Sequence, residues 1–338
     1  MDWFERLTGF REVGYVETRA KLEVTGTQLR SRVNDRSYGI GELELVSLET
    51  LRGRVQSGGG LPGRLRVSVV TGEVRRMHQA PENVGALFQV ASQFNLLEMV
   101  SPDVTPQHGV TRYQSDGTQG PACAIAAGAA TVYRNYFAPV GGGMGQTSDR
   151  QLDGLADLGT ALGEALGQPV EALWSIRNGY AMCSREGLDA ITAHLGSLER
   201  ADVDKLSGKL CIGVHSDVEV TDANGPNRPF VSQAFCSALP VAYNLHIPST
   251  YWQSFASLVL QAAYEATLWA AVLNAQRGAS NVVLLTRLGG GAFGNEDDWI
   301  HAAMRRAFQL ARDFDLDVRI VSFSSPSRAI RLMAEEFG

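Results

Sequence analysis

The stretch Asn281-Val-Val-Leu-Leu-Thr-Arg-Leu-Gly-Gly-Gly-Ala-Phe-Gly-Asn295 restricts the fold more than any other part of the chain. Val282 to Leu285 is an apolar run of strand length with no polar face, so it has to be buried on both sides by covering layers. Three consecutive glycines follow, and a helix is expected to start at Asn295. Gly289, Gly290 and Gly291 can take positive φ and let backbone N–H groups approach a ligand with no Cβ in the way. The next helix brings its own free N–H groups close by. Such a loop is a natural anion site; the alternative is a tight strand-to-helix turn without a ligand.

Gly289, Gly291 and Gly294 also spell Gly-x-Gly-x-x-Gly after a strand and before a helix, the dinucleotide fingerprint. Two features argue against a nicotinamide site. Glu296, Asp297 and Asp298 occupy the first turn and would repel a pyrophosphate lying on that helix end. The following strand ends at Phe323-Ser324, with no acid to hold a ribose hydroxyl and little chain left for a second half. An anion at this place has to be held by the loop itself.

With 338 residues, 44% of them hydrophobic and 20% charged, the chain can bury one large core or two smaller ones. A net charge of −6 with scattered Lys and Arg gives no strong nucleic-acid signal. The start, Met1-Asp2-Trp3-Phe4-Glu5-Arg6, puts charges where a signal peptide needs an apolar run, and no membrane partner is expected, so a cytoplasmic location is expected. Cys123, Cys183, Cys211 and Cys236 are far apart with no Cys-x-x-Cys pair, so four buried thiols are expected and no metal or cofactor.

Along the chain, Leu22 to Val24 and Ile40 to Leu45 alternate as half-exposed strands, Leu65 to Val70 is a firmer strand, and Ala86 to Ala91 reads as central in the sheet. Ser101 to Gly120 has no period and gathers polar side chains, which marks a functional or mobile loop. Ala122 to Tyr133 is expected as one helix with Pro121 in its first turn. Leu152, Leu155, Leu158, Leu162 and Leu166 recur at helical spacing, and Ser184 is placed to cap a helix. Leu210 to Val214 and Phe230 to Ser237 form a hairpin in this reading. A capping box at Thr250 opens a helix reaching Arg277, Asn295 caps the helix after the glycines, and Val318 to Phe323 is the last strand. The class is α/β with at least some parallel strands.

These residues resemble the macrodomains, a family of ADP-ribose-binding modules. The order of long helix, apolar strand, Gly-Ala-Phe-Gly loop, helix and final strand is similar to the C-terminal half of that family, where a Gly-Val-Phe-Gly segment wraps a pyrophosphate. Val69-Val70-Thr71-Gly72-Glu73-Val74 resembles its strand ending in Gly-Asp-Ile, which makes Glu73 the adenine-reading acid. Val90-Ala91-Ser92-Gln93-Phe94-Asn95 resembles its Asn-Ala-Ala-Asn segment, with Asn95 beside the ribose, and Gly120-Pro121-Ala122 stands at its second glycine-rich helix start. The resemblance implies a three-layer α/β/α macrodomain-like fold with a mixed sheet, in a single domain over 1–338 with its core about 60–140 and 240–325. An inserted helical and hairpin region would span about 145–237.

It further implies ADP-ribose, free or on a macromolecule, as the ligand. Gly289, Gly290, Gly291, Ala292, Phe293, Gly294 and Asn295 would form the pyrophosphate and ribose loop, with Glu73, Gly120, Phe323 and a phosphate-neutralising Arg112 completing the binding set. The chain departs from the family where hydrolytic members carry an acid, since Ala122 stands there. The paired glutamates of the poly(ADP-ribose) glycohydrolases have no counterpart between Ala122 and Thr131. Asp116 is then the acid expected to orient water, with Asn95 and Gln119 fixing ribose hydroxyls. Three readings stay open: an ADP-ribosyl hydrolase, a non-catalytic ADP-ribose reader, and an interaction scaffold. The insertion is either a lid hinged at Gly141-Gly142-Gly143 or a separate helical subdomain.

Overall fold

Seven strands build the central sheet of the computed structural model, which describes all residues from Met1 to Gly338. They are β1 (Glu42–Ser47), β2 (Arg66–Thr71), β3 (Leu87–Ala91), β4 (Cys211–Glu219), β5 (Phe230–Cys236), β6 (Val282–Leu285) and β7 (Asp317–Ser322). Their order across the sheet is β1-β4-β5-β3-β6-β7-β2. The β4 strand runs antiparallel to β1 and β5, whereas β5, β3, β6, β7 and β2 are mutually parallel. The sheet is therefore mixed, with its parallel part running from β5 to the β2 edge and its antiparallel part at the other edge.

The residues of β3 and β6 explain why these strands are central. In β6 all four side chains are buried, with Val283 and Leu285 entering one core and Val282 and Leu284 the other. The first face is covered by α1 (Leu48–Ser57), a long helix α5 (Ser249–Gln276), α6 (Asp297–Leu310) and a closing helix (Arg328–Phe337). By length and composition α5 could cross a membrane, yet 83% of its apolar window is packed inside the protein, with Trp252, Phe255, Val259 and Ala263 against the sheet core. The second face is covered by Val74–Gln79 and by α2 (Gln119–Ala126) and α3 (Gly128–Tyr136). These layers are the expected three-layer α/β/α arrangement.

Four local expectations differ from the structure. The hairpin placed in the insertion is β4 and β5, two strands inside the sheet, so the chain between β3 and β4 supplies helices and short ribbons only. The expected single helix from Ala122 breaks at Ala127, because the Thr131 hydroxyl takes the Ala124 carbonyl, Asp222 N–H takes that of Ala126, and Gly128 N–H turns to Thr221 Oγ1. The long helix α5 starts at Ser249 with no side-chain cap, so the Thr250 capping box does not form. Asn295 likewise does not cap α6: its Nδ2 donates to the Leu239 carbonyl at 2.8 Å, and Glu296 holds the cap position. Of the thiols, Cys123, Cys183 and Cys236 are buried and Cys211 is half-buried.

The helical segment after α3 packs on the first face. Leu155, Leu158, Leu162, Leu173, Trp174 and Leu188 join the same core as α5, and the Trp174 ring stacks on Phe255 with centroids 5.2 Å apart. An ionic knot fastens its last helix, α4 (Arg200–Ser207), to the layer: Arg52 and Arg306 both bridge Asp204 and the buried Glu265, and the Trp269 indole donates to Glu265 as well.

Candidate active site

The C-terminal ends of β3, β5 and β6 diverge around a pocket of about 150 Å³, the place where open α/β sheets bind ligands. Ala91 to Gln93 supply its floor, the start of α2 one side, and Thr286 to Phe293 the other. Tyr180, carried by the ribbon Trp174–Cys183 of the inserted segment, closes a third side with Tyr243 and Phe293. Their ring centroids lie 5.1 to 5.6 Å apart, an apolar wall fit for the face of a sugar or base.

The glycine loop presents bare donors. Gly289 takes φ +74 and Gly294 φ +69, whereas Gly290 and Gly291 stay outside the left-handed region. Tight turns close on either side, with Gly290 N–H donating to Arg287 and Gly294 N–H to Gly291. The N–H groups of Gly289, Gly291, Ala292 and Phe293 have no protein acceptor and line the pocket. Opposite them, Asp116 Oδ1 accepts from Thr118 N–H at 2.8 Å and leaves the first N–H groups of α2, on Gln119 and Gly120, uncovered. Two sets of unpaired N–H groups, on residues that border one cavity, suit an anion. Arg287 borders the pocket and is paired with Asp297 at the start of α6.

Beneath Gly120 sits Glu98, the residue that sequence reasoning missed. A tight turn from Gln93 to Leu97 delivers it: Leu96 N–H donates to Gln93, Leu96 takes φ +64, and Glu98 N–H donates to the Tyr113 hydroxyl at 3.1 Å. A Cβ on Gly120 would fall 2.0 Å from the Ala91 carbonyl oxygen and 3.1 Å from Glu98 Cγ, so only glycine lets the start of α2 pack this close to the end of β3. Glu98 is 2% exposed, and neither carboxyl oxygen has a hydrogen-bond partner. Arg134 stands 3.6 Å away, yet burial outweighs its attraction and pushes the carboxyl up to about 8. At neutral pH Glu98 is thus a protonated acid at the wall of an anion-ready pocket. Its signal in the sequence is a lone acid inside Leu96-Leu97-Glu98-Met99-Val100, a charge that the surrounding apolar run has to bury.

The expected site residues divide into two groups. Asp116, Gln119, Gly120, Gly289, Gly291, Ala292 and Phe293 border the pocket. Gln119, however, spends its amide on the sheet: Oε1 accepts from Ala91 N–H at 2.9 Å and Nε2 donates to the Gln89 carbonyl at 2.9 Å. Asn95 lies behind the floor, fully buried, with Nδ2 donating to Gln151 and Oδ1 accepting from Leu97 N–H, so its amide is not free for a ribose. Gly290, Gly294 and Asn295 shape the loop from behind without lining the cavity. Glu73 and Phe323 stand outside, at the ends of β2 and β7; Glu73 pairs with Arg76, and the Phe323 ring is 84% exposed. Arg112 is exposed and does not border the pocket.

Fold and site together define a class: a three-layer α/β protein with an anion-ready pocket at the C-terminal ends of its parallel strands. No protein-family model and no curated protein matches the chain. Among solved structures it is similar to the poly(ADP-ribose) glycohydrolase from Deinococcus radiodurans in complex with ADP-ribose, with 12% identity over 87% of this chain and 94% of that one and a TM-score of 0.44. It is also similar to the poly(ADP-ribose) glycohydrolase from Thermomonospora curvata, with 13% identity over 95% of this chain and 94% of that one and a TM-score of 0.41. Likeness of this degree assigns no activity, and function has to be read from the site itself.

Proposed function

We propose that the protein binds ADP-ribose, free or attached to a macromolecule, and hydrolyses an ADP-ribosyl linkage. The observation that carries this reading is the meeting, in one pocket, of a neutral buried carboxyl on Glu98 with the bare N–H groups of Gly289 to Phe293. The N–H groups suit the pyrophosphate, and the wall of Phe293, Tyr180 and Tyr243 suits the distal ribose. Cleavage at the anomeric carbon builds oxocarbenium character and leaves an oxygen that needs a proton. Glu98 is protonated at neutral pH and can supply it, while Asp116, which borders the pocket, orients the attacking water in this reading. Glu98 takes the part of the acid, and the amides of Asn95 and Gln119, engaged in the protein's own hydrogen bonds, are not assigned the ribose hydroxyls.

The test is release of ADP-ribose from ADP-ribosylated protein, ADP-ribosylated nucleic acid and O-acetyl-ADP-ribose, with binding followed by calorimetry. Glu98→Gln keeps the shape and removes the acid. It is expected to lower turnover about 100-fold or more while ADP-ribose affinity stays within a few-fold. Full turnover in Glu98→Gln sinks the assignment, and binding without release from any substrate makes the protein a reader.

A further inference from the structure

Behind Glu98 lies a charge that the chemistry above does not yet use. Arg134, on α3, is completely buried and meets five groups at once. Its Nε donates to the Leu96 carbonyl at 3.1 Å, Nη2 donates to Thr131 Oγ1 at 3.0 Å and stands 3.6 Å from Glu98 Oε1, Nη1 lies 3.5 Å from His215 Nδ1, and the guanidinium covers the Phe235 ring at 3.8 Å. A buried guanidinium is costly and is retained where something needs its charge. Here it grips the carbonyl of a leucine held at φ +64, a conformation that side chains avoid, and that leucine sets the direction of the turn ending in Glu98.

Building on the hydrolase reading, we propose that Arg134 is the positioning residue of the site: it fixes the turn that aims Glu98 and supplies the counter-charge for the carboxylate formed when Glu98 gives up its proton. In the resting state Arg134 makes no hydrogen bond to Glu98, which stays protonated. As the bond from the anomeric carbon to the acceptor oxygen breaks, the Glu98 proton goes to that oxygen and the carboxylate is left facing Arg134. Water then adds its hydroxyl to the anomeric carbon, and its remaining proton returns to Glu98. The other groups facing Glu98 are the Tyr113 hydroxyl and the Cys123 thiol, both held neutral by burial, with Glu12 on the far side of Tyr113. Burial and Arg134 also keep His215 neutral, so Arg134 is the single positive charge in the cluster.

The experiment reads Glu98 directly, by carboxyl-carbon NMR titration of the full-length protein in the absence of substrate. Arg134→Met is expected to raise the Glu98 midpoint by about one pH unit or more, tenfold in the protonation equilibrium, and to lower kcat at least tenfold with the alkaline limb of the pH–rate profile moving the same way. Arg134→Lys retains a charge but cannot hold Leu96 and face Glu98 together; its midpoint is expected to rise by less, and it decides the matter if the methionine variant does not fold. A midpoint at the wild-type value in either folded variant overturns the proposal, whatever happens to kcat. Because the titration needs no turnover, a wild type that hydrolyses nothing would count against the functional reading alone.

Discussion

Gly289 and Gly291 stand two residues apart in one loop and tolerate substitution differently. Gly289 is held at φ +74, and a Cβ there would come within 2.6 Å of Ala238 Cβ and 2.7 Å of Asn295 Nδ2. Gly291 has ordinary φ and open space where its Cβ would be. Gly289→Ala is therefore expected to cost about 1–3 kcal/mol in urea unfolding and to weaken ADP-ribose binding at least tenfold, whereas Gly291→Ala changes stability by less than about 0.5 kcal/mol. Equal effects would show that the loop is not held by its left-handed glycine. The sequence showed that a glycine loop had to lie here, and why, but not which glycine carries the strain, since all three look alike without their neighbours. Asn95 and Glu98 teach the converse. The asparagine was readable as polar at a strand end, yet its partner Gln151 comes from the insertion, and no local pattern announces that contact.

At the scale of elements, the inserted segment is tied by hydrogen bonds to the chain that follows β3. Phe94 N–H donates to Gly179 and Gly154 N–H to Phe94; Gln146 donates to Asn95, Asn178 to Pro102, and the Tyr180 hydroxyl to Met99 at 2.5 Å. All these bonds seize the stretch of chain that carries Glu98. Gly179 lies at the join with φ +80, where a Cβ would fall 2.6 Å from Asn95 Cγ and 2.7 Å from Gln93 Cβ. Gly179→Ala is expected to lower stability by about 2–3 kcal/mol and to weaken ADP-ribose binding, because Tyr180 moves with it. Unchanged denaturation and affinity would show that the ribbon and the turn are independent. Helical spacing of Leu155, Leu158 and Leu162 made these helices legible, whereas the hairpin β4–β5 was legible as a hairpin and misplaced. Alternating apolar residues say that a strand has a buried face; they do not say which sheet buries it.

For the whole molecule, three buried groups set opposing pH dependences. His78 is held neutral by burial, down to about 4, and His215 lies well below its ordinary value, so the stability they confer is present above about pH 6.5 and is lost as pH falls. Glu98 is raised by burial, so its contribution is complete below about 4.5 and is lost as pH rises toward about 8. Stability followed by urea unfolding is expected to peak near pH 6.5, and Glu98→Gln should flatten the fall above that pH, steepen the rise between about 4.5 and 6.5, and leave the slope below about 4.5 unchanged. An alkaline slope that survives the substitution would place the titrating group elsewhere. The layer architecture was legible because β3 and β6 had to be buried on both faces; the strand order was not, since pairing is decided by chain arriving from far away. That order has a consequence during synthesis. Strand β3 lies between β5 and β6, both of which follow the entire helical segment, so a nascent chain leaves the ribosome with its central strand unpaired until most of the protein has been translated. A premature stop between Ala91 and Phe230 would thus yield a fragment with an exposed apolar strand and neither of its partner strands to receive it.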